Sequence, residues 1–142
     1  MSSAESEVKA LMERRSEAFR LKDVERVMSL FSSDVVYFDL VPPLRYAGAA
    51  ALRERFVDWF RRWKSPIGQE LRDVTVLASG DMAAAHMLIR TSGTLNDGRT
   101  VGYWVRTSDF CLRSKGKWLI THEHVSFPVD VRNGNAVMDL AP

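Results

Sequence analysis

Two stretches near the end of the chain decide the fold: Val101-Gly102-Tyr103-Trp104-Val105-Arg106-Thr107-Ser108-Asp109-Phe110-Cys111-Leu112 and Lys117-Trp118-Leu119-Ile120-Thr121-His122-Glu123-His124-Val125-Ser126-Phe127. β-Branched and aromatic residues recur in both, and Lys115-Gly116 marks a turn between them. They read as a pair of antiparallel strands. Polar and ionisable residues stand where a sheet normally buries aliphatics. Burying such groups is costly unless they are paired or used, so this sheet is expected to line a polar pocket.

Upstream the pattern continues strand by strand. Leu71 to Ala78 ends at Ser79-Gly80-Asp81, and Met82 to Leu95 ends at Asn96-Asp97-Gly98, a hairpin signal. Before Gln69 the period changes to helical. Val8, Leu11, Met12, Ala18 and Phe19 define a helix over about residues 4–21, with Arg15 inside its apolar stripe. That arginine either snorkels outward or points its head into something polar. Asp23 caps a short second helix facing inward with Val24, Val27, Met28 and Phe31, and Ser32-Ser33-Asp34 ends it. A strand from Val35 to Leu40 stops at Pro42-Pro43. A third helix, about residues 49–64, carries Leu52, Phe56, Trp59, Phe60 and Trp63 on one side. Helices first, then an antiparallel meander, is an α+β pattern. We expect one domain over 1–142, with an ordered core of about 4–128 and a loose tail at 129–142.

Composition narrows the function classes. With 142 residues, 46% hydrophobic and 27% charged, the chain suits a single globular domain with a real core. A formal charge of +2, with no basic stripe, argues against nucleic acid and membrane surfaces as partners. The single cysteine, Cys111, excludes an intrachain disulfide and reads as a core residue. No signal peptide or spanning segment is visible, so a cytoplasmic location is expected.

The order of elements resembles the NTF2-like superfamily, in its SnoaL-like and ketosteroid-isomerase-like branch. Asp34-Val35-Val36-Tyr37-Phe38-Asp39, Gly48 opening the third helix, and Gly116 to Ser126 carry the resemblance, which covers Glu7 to Pro128. It implies a cone: a curved sheet wrapped around three helices, with a pocket in the open end. It also implies a homodimer packed through the convex sheet face. Asp39 falls where ketosteroid isomerases keep a general-base carboxylate. Arg15 stands in place of their oxyanion-hole tyrosine, and Asp109 could correspond to their second oxyanion donor. Glu123 falls where the limonene-epoxide-hydrolase branch keeps a water-activating carboxylate.

From these readings the expected catalytic residues are Asp39, His86 and Glu123. The expected ligand contacts are Arg15, Trp59, Arg90, Trp104, Arg106 and Asp109. Strand alternation places Trp104 and Arg106 on one face and Val105, Thr107 and Asp109 on the other, unless a bulge mixes them. His122 and His124 are spaced as a metal pair, but a third ligand and supporting shell are wanting, so no metal is expected. Two functions are consistent with the set. One is a cofactor-free enzyme doing acid–base chemistry on an apolar small molecule with a carbonyl. The other is a non-catalytic or dimerising module that holds an anionic ligand through its arginines.

Overall fold

The computed structural model describes residues 3–142. Helix α1 (Ser3–Arg20) buries Val8, Leu11, Met12, Arg15, Ala18 and Phe19, the stripe that its spacing predicts. Asp23 caps α2 (Val24–Met28) by accepting a hydrogen bond from the Arg26 backbone N–H. This helix is shorter than expected. Phe31 opens strand β1 (Phe31–Phe38) instead of closing the helix, because its ring is needed against Tyr37 and Phe56. A two-residue strand β2 (Tyr46–Ala47) leads into α3 (Ala49–Arg61), which buries Leu52, Phe56 and Phe60.

Four long strands follow: β3 (Gly68–Ser79), β4 (Met82–Thr94), β5 (Thr100–Ser114) and β6 (Lys117–Ser126). They pair as an antiparallel meander, and β1 adds parallel to β6, giving the order β2-β1-β6-β5-β4-β3. The sheet is curved and not closed, and the three helices complete an α+β fold. In the tail a small hairpin of β7 (Val129–Asp130) and β8 (Asn135–Ala136) closes over the Asn133-Gly134 turn.

Register decides what the concave face presents. Tyr37, Glu123, Asp109, Ala85 and Val76 are successive cross-strand partners, so they form one row from β1 to β3. A second row joins Gln69, Thr91 and Tyr103. A bulge at Thr121 lets Phe110 pair with His122 while Cys111 pairs with Ile120. The bulge switches parity, so Trp118 and Ile120 point inward on one side of it and Glu123 and Val125 on the other. Trp118 is therefore core, with its indole N–H donating to Glu7 at 2.7 Å. Cys111 is fully buried, and burial, with Asp109 adding, pushes its thiol up to about 12. Among the described residues no helix is long and apolar enough to cross a membrane.

Candidate active site

A cavity opens between the concave face and the helices. Its walls are apolar and largely aromatic: Phe19 from α1, Phe56 and Trp59 from α3, and Ile89, Val105 and Val125 from the sheet. Phe19 meets Phe56 and Trp59 edge-on at 5.3 and 5.4 Å between ring centroids, which fixes the wall geometry. Its volume is about 70 Å³, several times the roughly 10–15 Å³ that one water needs.

Polar groups enter the cavity at two depths. At the deep end lie Arg15, Glu123, Tyr37 and Thr107. Arg15 is wholly buried, and its Nη1 donates to Asp109 Oδ2 at 2.9 Å and to Glu123 Oε1 at 2.5 Å. Its Nη2 faces the Met87 sulfur at 3.4 Å. Burial pulls the guanidinium down, but Asp109 and Glu123 outweigh it, so Arg15 stays charged. Burial drives the Glu123 carboxyl well above the usual carboxylate range; Arg15 opposes this and Asp109 adds to it. Burial foremost, then the Glu123 charge, holds the Tyr37 phenol protonated. Three buried polar atoms in and behind this end have no protein partner: the Thr107 hydroxyl, Arg15 Nε and Asp109 Oδ1. Native interiors rarely leave such groups unpaired without a use for them.

At the shallow end Asp39 closes β1. Its Oδ2 accepts from Arg55 Nε at 2.6 Å, and its Oδ1 from the Leu40 N–H at 2.7 Å. Burial lowers the Arg55 pKa, yet the bond to Asp39 leaves it raised overall. Tyr103 stands nearby with its phenol pushed up to about 12, by burial and then by the Asp39 charge. On the side wall Gln69 donates to the Thr91 hydroxyl at 2.9 Å.

Of the residues singled out in the sequence, Arg15, Asp39, Trp59 and Glu123 line the cavity. Asp109 lies behind it, turned toward Arg15 and not lining the cavity. His86, Arg90 and Arg106 are corrections: all three are exposed on the opposite face of the sheet. Trp104 is half-buried on that outer face as well. Alternation explains this. The inward residues of β4 are Ala83, Ala85, Met87, Ile89 and Thr91, and those of β5 are Val105, Thr107, Asp109 and Cys111. Arg106 spends its donors on the Ser126 hydroxyl and the Phe127 carbonyl. His122 and His124 are also outside the cavity, packed around Phe38. Sequence reading missed Arg55, although its i+4 spacing from Trp59 was the available signal. It also missed Thr107, Gln69, Thr91 and Tyr103, which strand parity alone places inward. No group of three or more His, Cys, Asp or Glu residues suited to a metal ion occurs among the described residues.

Comparison with known proteins agrees with the architecture. The model of the SnoaL-like domain matches residues 8–130. An NTF2-like protein of unknown function from Pseudomonas putida KT2440 is 33% identical, with a TM-score of 0.91 over 100% of this chain and 99% of that one. A protein from Novosphingobium aromaticivorans, provisionally named an aromatic ring hydroxylase, is 25% identical with a TM-score of 0.78, covering 87% and 88% of the two chains. A ketosteroid isomerase-like protein from Erwinia carotovora atroseptica shares the fold at 19% identity, with a TM-score of 0.77 over 89% of this chain and 97% of that one. No curated protein matches the sequence.

Proposed function

The chain belongs to the SnoaL-like domain family, and on that premise we propose that its cavity binds a small, neutral, largely apolar molecule bearing a carbonyl oxygen. General acid–base chemistry on that molecule falls to Glu123 and Asp39. The observation that carries this reading is a cavity with aromatic walls whose deep end holds Glu123, a buried carboxyl biased toward its protonated form, beside the unpartnered Thr107 hydroxyl. A carbonyl oxygen there accepts from Thr107 and from Glu123. Asp39, at the shallow end, takes a proton from the carbon next to the carbonyl. The C–H electron pair becomes the new C=C bond, and the oxygen takes its proton from Glu123. When that C=C bond is conjugated with a second one, Asp39 returns its proton to the far carbon, the C=O bond re-forms and the O–H proton goes back to Glu123, which completes an isomerisation with no cofactor in the balance.

The anion-holding alternative loses its carriers. Arg90 and Arg106 lie on the other face, and the Arg15 charge is already matched by two carboxylates. We also propose that the protein is a homodimer through the outer sheet face, where Leu77, Met82, Phe110 and Leu112 are exposed.

A thermal-shift screen of neutral cyclic ketones and phenols against aromatic carboxylates tests the ligand class, since a ligand of the native state raises Tm by mass action. Ketones or phenols are expected to raise Tm, with the shift reduced by Thr107→Val and Glu123→Gln. A response to carboxylates alone, or one indifferent to both substitutions, sinks the reading. Binding that survives while Asp39→Asn leaves any turnover unchanged removes the chemistry and keeps the binding.

A further inference from the structure

Asp109 and Glu123 pose a charge problem that the cavity alone does not resolve. They are direct partners on β5 and β6, about 1–2% exposed, and both bond to the same nitrogen of Arg15. Two carboxylates against one guanidinium leave a net negative charge in the protein interior, a state that takes up a proton in preference. Among the described residues the neighbours offer no second cation. Tyr37 reaches the pair from β1 and Cys111 from β5, and burial keeps both neutral. From β4 come uncharged side chains: Ala85, the direct partner of Asp109, and Met87, whose thioether faces Arg15. One oxygen of the pair, Asp109 Oδ1, is buried with no protein donor. A proton held between the two side chains supplies that donor and cancels the charge together.

We infer that Asp109 and Glu123 share a single proton at neutral pH, and that Asp109, which does not line the cavity, sets the protonation state of the carboxyl that does. Asp109 is thus a positioning residue: it keeps a proton available at Glu123 without touching a ligand. The use of that proton on a ligand rests on the function proposed above. The sharing itself does not, because it is argued from charge count and geometry in the empty protein. The arrangement is a carboxyl pair whose like charges cannot both persist at close range, here tied by one arginine.

Infrared spectroscopy of the unliganded protein in D2O tests the sharing directly, since a protonated buried carboxyl absorbs apart from carboxylate bands. The wild type at neutral pD is expected to show a band equivalent to one protonated carboxyl. Asp109→Asn and Glu123→Gln are each expected to abolish it, because one carboxylate then pairs alone with Arg15. Asp58→Asn, at an exposed site, is expected to leave it intact. Absence of the band in the wild type overturns the inference, as does its persistence in either variant. If a variant fails to fold, the wild-type band and its intensity decide. A ligand screen that finds nothing, beside a band that behaves as expected, would sink the proposed function and leave this inference standing.

Discussion

Glu123 couples the cavity to pH, and the sign follows from its burial. Its carboxyl in the folded protein lies well above the ordinary value of 4.5. Between that value and the folded one, the native state binds more protons than the unfolded chain. Stability from this group is therefore fully present below about pH 4.5 and is lost as pH rises through the folded value, at about 1.4 kcal/mol per unit of separation. Urea unfolding from pH 4.5 to 8 is expected to show the wild type losing ground to Glu123→Gln as pH rises. Parallel pH profiles for the two proteins would refute it. Arg15 offers a harsher test. Replacing it with Met strands the buried Asp109–Glu123 pair without its cation, and the expected cost at pH 7 is about 3–5 kcal/mol, read as a lower urea midpoint. A loss under 1 kcal/mol would mean the triad is not electrostatically coupled. These residues were legible because a charged residue inside an apolar helical stripe, and a carboxylate inside a strand, each demand a partner. His86, Arg90 and Arg106 were misplaced for the complementary reason. Their chemistry suggested a site, whereas the Ala-Ala-Met-Ile alternation around them already assigned the inward face of β4 to other residues.

At the scale of elements, the cavity depends on how α3 is held against the end of β4. Lys64 and Ser65 donate backbone bonds to Thr94, and the Ser65 hydroxyl accepts from the Thr94 N–H at 2.8 Å. Trp63 bridges to Leu95. Gly93 makes this join possible. Its φ is 151°, and a Cβ there would lie 2.7 Å from Ser65 Oγ and 2.9 Å from the Pro66 carbonyl oxygen. Gly93→Ala is therefore expected to cost about 1–3 kcal/mol and to loosen α3, which carries Arg55, Phe56 and Trp59. Hydrogen exchange should show faster opening of α3 in this variant; unchanged protection would mean that the join does not position the helix. Helix and strand periods were readable along almost the whole chain, because amphipathic stripes repeat many times. The start of β1 was not, since Phe31 fits a helical stripe as well as it fits a strand. Only its tertiary contacts with Tyr37 and Phe56 decide between them. The bulge at Thr121 was likewise invisible locally, because it is defined by the pairing of β5 with β6.

For the whole molecule, register gives the outer sheet face a definite character. Leu77 and Phe110 share a row with His122, and Met82 pairs with Leu112 in the next row. Leu77 and Met82 are 69% and 64% exposed. The outward residues of β4, β5 and β6 include Arg90, Arg106, His86 and His124 but no carboxylate. The cationic end is the one near Trp104, so the apolar end is the part that a second copy covers with least electrostatic cost. A homodimer centred on Phe110 hides these side chains and leaves the arginines at the rim. Sedimentation at micromolar concentration is expected to give a dimer for the wild type and a monomer for Met82→Lys combined with Phe110→Lys. The double variant should keep its circular dichroism and lose little intrinsic stability, because exposed substitutions usually change stability by about 0.5 kcal/mol or less. A wild type that stays monomeric at every concentration would remove the dimer. A double variant that stays dimeric would move the interface off this face. In either case the cavity lies on the opposite side of the same sheet.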